Sequence, residues 1–324
     1  MHVLVTGAGG MIGRKLAERL AASGVIGSRR IARLTLADLA APGAPAAAFD
    51  VASVAVDISS PRAATELVAG APDVIFHLAA IVSGEAEADF DKGYRVNLDG
   101  TRLLFEAIRA RGNAPRVVFA SSIAVFGGPY PEQIDDDFPL APLTSYGTQK
   151  AMGELLLADF GRKGFFDGIG IRLPTICVRP GAPNKAASGF FSNILREPLV
   201  GQEAILPVPD DVRHWFASPR AAVGFLLHAA TLDTGLLGQR RSLNMPGVSA
   251  TIGEEIEALR AVAGDEAVRL IRRQPDETIM RIVEGWPRNF APQRALALGF
   301  SADRSFHDIV LAHVEDELGG RVGG

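Results

Sequence analysis

At 324 residues the chain is long enough for one large domain or two smaller ones, with an ample core. Apolar residues make up 48% and charged residues 22%, the balance of an ordinary globular protein, and a net charge of −4 argues against a nucleic-acid partner. A single cysteine, Cys177, excludes an internal disulfide and a cysteine-rich metal site, no apolar run reaches the ~18 residues of a membrane span, and Met1–Gly7 lacks the regions of a signal peptide, so a cytoplasmic protein with no membrane partner and no metal is expected.

The first part of the chain alternates strand-like and helix-like segments. His2–Thr6 reads as a short buried strand. Residues 10–23 have helical spacing, with Ile12, Leu16 and Leu20 inward and Arg14, Lys15, Glu18 and Arg19 outward. Strands are predicted over 32–38, 54–58, 73–79, 116–120 and 169–173, and helices over 61–69, 90–111 and 146–163. Alternation of this kind implies a parallel sheet with helices on both faces, a doubly wound α/β fold of Rossmann type. After Pro174 proline and glycine become frequent, and helices are expected over 221–230, 253–263 and 308–318. The expected organisation is therefore a dinucleotide-binding domain over 1–174 and a smaller substrate-binding lobe over 175–324, some of whose segments return to the sheet. Ligands of such sheets sit beyond the carboxyl ends of the strands. Cys177 lies in the apolar run Ile176-Cys177-Val178 and reads as a buried, inert thiol.

Three groups of residues carry chemistry. Gly7-Ala8-Gly9-Gly10-Met11-Ile12-Gly13 follows the first strand and opens the first helix. Gly7 suits a tight turn, Gly10 lets the backbone approach a pyrophosphate, and Gly13 allows close helix–strand packing. The helix N-terminus adds amide donors and a positive dipole for phosphates. Asp38 closes the second strand, where a carboxylate accepts hydrogen bonds from an adenosine ribose and repels a 2′-phosphate, favouring NAD over NADP. Asp57, expected at the end of the third strand, is placed to meet the adenine edge. Tyr146 and Lys150 stand four residues apart, so on a helix they share one face. A tyrosine titrates near ~10 and is a poor base at neutral pH. An adjacent ammonium stabilises the phenolate and makes the pair fit to move an alcohol's proton.

In this order the motifs resemble those of the extended short-chain dehydrogenase/reductase family, over nearly the whole chain. Thr6-Gly7-Ala8-Gly9-Gly10-Met11-Ile12-Gly13 looks like the family's cofactor loop. His77-Leu78-Ala79-Ala80 looks like the small-residue strand end beside the cofactor, and Asn97-Leu98-Asp99-Gly100-Thr101 matches its Asn-x-x-Gly-Thr helix. Ser121-Ser122-Ile123-Ala124-Val125-Phe126-Gly127 matches the segment ending in the catalytic serine, and alignment on Gly127 assigns that role to Ser122. The resemblance implies catalytic Ser122, Tyr146 and Lys150. It implies NAD held by Gly7, Gly10, Met11, Ile12, Gly13, Asp38, Asp57, Ile58, Leu78, Ala79, Ala80, Asn97, Tyr146, Lys150 and Pro174. Substrate contacts are expected from Ser83, Ser122, Ile123, Tyr146, Thr175 and Arg213.

The substrate is read from the second lobe. Arg213-His214-Trp215 keeps the arginine found at this place in epimerases but puts His214 where they carry an acid. A guanidinium suits bidentate capture of a carboxylate, and phosphate fits equally well. The stretch from Pro183 to Phe191 is expected to border the cleft. The pattern looks closest to a branch of the family acting on four-carbon sugar acids such as D-erythronate, which implies NAD-linked oxidation of the C2 hydroxyl to the 2-oxo acid. A nucleotide-sugar epimerase or dehydratase with tightly held NAD is the alternative. A homodimer is expected by analogy with the family.

Overall fold

A computed structural model describes residues 1–181 and 187–322. The chain divides into two compact units. The first comprises Met1–Val125, Pro142–Arg172 and Val223–Asn244, the second Phe126–Ala141, Leu173–Ala222 and Met245–Gly324. The chain thus re-enters each unit after position 174 is passed or before it is reached: 126–141 lies with the second unit and 223–244 with the first.

The first unit is built on a seven-stranded sheet. Its strands are β1 (His2–Thr6), β2 (Arg33–Asp38), β3 (Asp50–Ala55), β4 (Val74–His77), β5 (Arg116–Ser122), β6 (Asp167–Leu173) and β7 (Ser242–Asn244), in the spatial order β7-β6-β5-β4-β1-β2-β3. β1 pairs in parallel with both β2 and β4, and Val3, Leu4 and Val5 are fully buried, as a strand covered on both faces must be. The order reverses at β1 and β4, so the crevice for a ligand opens at the carboxyl ends of those two strands. The helices are α1 (Met11–Ser23), α2 (Pro61–Val68), α3 (Gly100–Arg111) and α4 (Ser145–Arg162). α1 buries Leu16, Ala17, Leu20 and Ala21 and stops at Gly24, whose φ of 65° is left-handed and whose N–H bonds to the Leu20 carbonyl. Leu4, Ile75, Leu104, Phe105, Val117, Phe119 and Leu157 form a core between sheet and helices.

Three expectations change. The third strand is Asp50–Ala55, not 54–58, so Asp57 lies beyond its end; this edge strand is only half covered, and its register against β2 (Arg33 opposite Asp50, Ala37 opposite Val54) sets its place. The helix expected over 90–111 is interrupted: Tyr94–Asp99 forms a wider π-helical segment before α3, and a π-turn of this kind is a frequent mark of functional sites. The sheet also gains β7 from residues late in the chain, pairing Ser242 with Gly170, too short a strand for periodicity to reveal.

In the second unit, Arg213–Ala217 pairs in parallel with Thr175–Ile176 and antiparallel with Val248–Thr251. Helices Gly189–Leu199, Ile252–Val268 and Phe306–Glu317 pack a separate core that includes Phe191, Leu195, Phe216, Leu259 and Val310. Cys177 is buried there and burial pushes its thiol well above the ordinary range, as an inert thiol requires. Among the expected cleft residues, 183–186 lie outside the described residues.

Candidate active site

The glycine loop sits at the sheet's switch point. Gly7 has φ of 74°, and a Cβ there would meet the Ala79 amide nitrogen at 2.6 Å, so this turn after β1 touches the strand end after β4. A Cβ at Gly13 would lie 2.2 Å from the Gly7 carbonyl, which is the close helix–loop packing expected of that position. Gly10, by contrast, is exposed and a Cβ would meet only that carbonyl, at 3.4 Å. It caps α1, whose first turn carries no acidic residue of its own to offset the positive end of the helix. Met11 and Ile12 open that helix and are partly buried.

Asp38 ends β2 beside the loop. Its carboxylate accepts from Gly9 N at 2.8 Å and Leu39 N at 2.7 Å, which ties the acid to the glycine turn. Asp57 is exposed and binds its own neighbour, accepting from the Ser59 hydroxyl at 2.7 Å and amide at 2.9 Å. The hydroxyl, then the amide, hold its pKa below the usual carboxylate range. Ile58 is buried and packs on Gly100, where a Cβ would stand 3.0 Å from its side chain. Leu78, Ala79 and Ala80 follow β4 and are partly exposed at its carboxyl end. His77 beneath them is buried between Thr6 at 2.8 Å and Thr101 at 2.9 Å, and burial lowers its pKa to about 3, so it is a neutral structural link.

Asn97 lies in the π-segment. Its Oδ1 accepts from Ile81 N at 2.8 Å, and its Nδ2 donates to the Gln149 side chain at 2.8 Å. It thereby joins the loop after β4 to α4, the helix that bears Tyr146 and Lys150. That helix is capped by Thr144, whose hydroxyl accepts from Gly147 N at 3.1 Å. A Cβ on Gly147 would fall 2.1 Å from the Ala124 carbonyl, so only glycine lets α4 approach the turn after β5 this closely.

Tyr146 is partly exposed at the start of the helix, and Lys150 one turn on is buried. The Lys150 ammonium donates to the Ala120 carbonyl at 2.8 Å and lies 5.7 Å from the Tyr146 ring centre and 5.0 Å from that of Phe119. Burial lowers its pKa to about 8 against the opposing pull of Glu154. The two adjacent serines are now distinguished. Ser121 is buried and donates to Glu154 at 2.5 Å. Ser122 is partly exposed, and its oxygen accepts from Ala124 N at 3.1 Å, which leaves its O–H without an acceptor among the described residues. Ile123, next in the chain, is buried. Ser122 ends the interior strand β5, and Lys150 of α4 bonds to the Ala120 carbonyl two residues before it, with Tyr146 one turn back on the same helix.

The profile of the NAD-dependent epimerase/dehydratase family matches residues 3–235. The chain belongs to that family. Over 323 residues it is 47% identical to a D-erythronate dehydrogenase of Cupriavidus necator, covering 98% of each chain. It is 42% identical to a D-erythronate dehydrogenase of Haemophilus influenzae, covering 98% of this chain and all of the other. A crystal structure described as a nucleoside-diphosphate-sugar epimerase from Agrobacterium tumefaciens superposes with a TM-score of 0.97 at 63% identity, over 99% of this chain and 95% of that one. The cofactor in the family's name fits the residues present: the loop glycines bring backbone to the crevice, the first turn of α1 carries no acid, and Asp38 holds a carboxylate at the loop's rim.

In the second unit, Thr175 follows the buried Pro174, and its hydroxyl pairs with His214 Nε2 at 2.6 Å. Burial lowers the His214 pKa to about 3, so the position where epimerases carry an acid is uncharged here. Arg213 donates to the Ser249 carbonyl at 3.1 Å and pairs with Glu254 at 3.3 Å. It lines a pocket of about 590 Å³ with Asp211, Glu277, Arg281, Glu284 and Arg288. Ser83 is exposed at the start of the short helix Ser83–Ala88. Sequence reasoning assigns no role to Glu154 or Arg172, which form an ion pair at 2.7 Å. The signal was present: Glu154 continues the i, i+4 series of Tyr146 and Lys150 down one helix face.

Proposed function

We propose that the protein is an NAD-dependent dehydrogenase of a sugar acid, oxidising the C2 hydroxyl of D-erythronate to the 2-oxo acid. Similarity over essentially the full length to two D-erythronate dehydrogenases carries this reading, and the Ser122/Tyr146/Lys150 set supports it. NAD, when bound, supplies the hydride acceptor. In the proposed mechanism the Ser122 O–H donates to the substrate oxygen and holds it as the alcohol becomes a carbonyl. The Tyr146 phenolate takes the hydroxyl proton. Lys150, charged at neutral pH and buried against the tyrosine, stabilises that phenolate and orients the nicotinamide ribose. Gly7, Gly10, Met11, Ile12 and Gly13 take the pyrophosphate and Asp38 the adenosine ribose. Asp57, Ile58, Leu78, Ala79, Ala80, Asn97 and Pro174 complete the cofactor's surroundings. Arg213 is the proposed carboxylate ligand, with Ser83, Ile123 and Thr175 as further substrate contacts.

The same proposal includes a cytoplasmic homodimer, with residues 1–174 serving mainly the cofactor and 175–324 mainly the substrate. Among the described residues no helix is long and apolar enough to cross a membrane and no cluster of ligating side chains could hold a metal ion. The epimerase description of the 63% identical structure favours a second reading, in which tightly held NAD is reduced and reoxidised within one turnover. A panel of four- to six-carbon aldonic acids, with NAD and NADP in parallel, decides between them. The expected result is NADH formation, fastest with D-erythronate. Absence of NADH with every acid refutes the dehydrogenase reading; copurifying NAD with no net NADH release supports the second.

A further inference from the structure

The buried ion pair behind Lys150 has no part in the reading above. Glu154 stands one helical turn beyond Lys150 on α4 and is buried. Two side chains from two strands converge on its carboxylate. Ser121 of β5 donates to Oε1 at 2.5 Å. Arg172 of β6 donates through Nε to Oε1 at 3.0 Å and through Nη2 to Oε2 at 2.7 Å, and its remaining Nη1 is held by Asn244 of β7 at 3.0 Å. The carboxylate therefore has one rotamer and one place. Ser121, which it holds, lies between Ala120, whose carbonyl takes the Lys150 ammonium, and Ser122.

A buried ion pair is weak evidence for stability, since well-packed apolar residues of similar volume commonly serve as well. We propose that Glu154 is a positioning residue of the proton-transfer set: its fixed carboxylate keeps the buried Lys150 ammonium charged, and through Ser121 it seats the strand end that carries Ser122. The inference rests on the dehydrogenase reading for its catalytic consequence, but its electrostatic core does not need a substrate.

The surroundings of Lys150 leave Glu154 as its supporting charge. On its own helix it faces Tyr146 and Glu154. From β5 it meets the Ala120 carbonyl and the Phe119 ring, both uncharged. From β4 it meets His77, which is neutral. Asn97 of the π-segment and Gln149 beside it are uncharged amides bonded to each other. Arg172 of β6 is engaged by Glu154 itself. Desolvation pulls the ammonium toward neutrality, and the carboxylate opposes it.

Lys15, Lys92, Lys150, Lys163 and Lys185 are the chain's only lysines, so titration of 13C-labelled lysine ε-carbons resolves Lys150 in the full-length protein, assigned with Lys150→Met. Glu154→Gln should lower the Lys150 midpoint by about one pH unit, the scale of a nearby opposite charge. Glu154→Asp should restore it, and Ser121→Ala, which removes a hydrogen bond but no charge, should leave it in place. Where Glu154→Gln alone does not fold because Arg172 is left unpaired, Glu154→Gln/Arg172→Met removes both charges and should still lower the midpoint. In the oxidation assay the high-pH loss of kcat should move to lower pH in Glu154→Gln, with a profile unmoved in Ser121→Ala. A Lys150 midpoint that is the same in wild type, Glu154→Gln and the double variant overturns the proposal, whichever substrate the enzyme takes. If no acid is oxidised, the lysine titration still decides it, so the two failures are distinct.

Discussion

The glycine loop allows folding and cofactor binding to be perturbed separately, with Gly13→Ala and Gly10→Ala as the pair. At Gly13 the added Cβ would lie 2.2 Å from the Gly7 carbonyl oxygen, 2.6 Å from Ala8 Cα and 2.9 Å from Ala8 C. All three are backbone atoms well inside the ~3.5 Å at which non-bonded carbon atoms rest, so no side chain can turn away and the loop itself must shift. Overpacking of this kind costs about 1–3 kcal/mol, which for a chain of this length corresponds to a fall in Tm of roughly 1.5–4.5 °C. At Gly10 the backbone is extended, with φ of −69°, and the only close atom is the Gly7 carbonyl at 3.4 Å. Gly10→Ala should therefore melt with the wild type. Its methyl group, however, projects at the exposed N-terminus of α1, where a pyrophosphate needs the backbone bare. A weakening of NAD binding of at least about tenfold, ~1.4 kcal/mol, is expected. Thermal melts without cofactor and calorimetric titration with NAD measure the two effects. Wild-type NAD affinity in Gly10→Ala would remove this loop from the phosphates, and a wild-type melt in Gly13→Ala would refute the packing argument.

Three further outcomes follow from the site. Ser122→Ala should lower kcat by about 10²-fold or more with little change in Tm, as loss of a hydrogen-bond donor to developing charge does; Ser121→Ala should have the smaller effect on kcat, and the reverse ranking would reassign the serines. Asp38→Ser should shift the ratio of kcat/KM for NAD over NADP toward NADP by roughly tenfold or more through loss of charge repulsion, and should weaken NAD binding because Gly9 loses its acceptor; an unchanged ratio would exclude Asp38 from the ribose site. Glu255 is fully buried, neither of its oxygens has a hydrogen-bond partner among the described residues, and burial holds its pKa well above the ordinary range. The folded protein thus keeps a proton that the unfolded chain releases above about pH 4.3, so this residue destabilises the fold increasingly as pH rises. Glu255→Gln should raise Tm more at about pH 8 than at about pH 5, and an equal change at both values would contradict the linkage.

The parts of the site that were legible in the sequence are those set by local geometry. Tyr146 and Lys150 share a helix face because four residues make about one turn. Gly7 and Gly13 follow a strand and open a helix, and their spacing alone announces the close backbone approaches that the structure contains. The parallel sheet followed from the alternation of short apolar runs with helical ones. Other features depended on partners distant in sequence. Which of two adjacent serines keeps a free O–H is decided by Glu154, 33 residues from Ser121. The π-turn at Asn97 is stabilised by Ile81 and Gln149, and the place of the third strand by its register against β2. The burial that brings Lys150 to a pKa of about 8 arises from β5 closing over α4. Spacing along a chain fixes which side chains can face one another, because bond geometry repeats. Hydrogen-bond partners and desolvation belong to the packed molecule, and only its tertiary structure decided them.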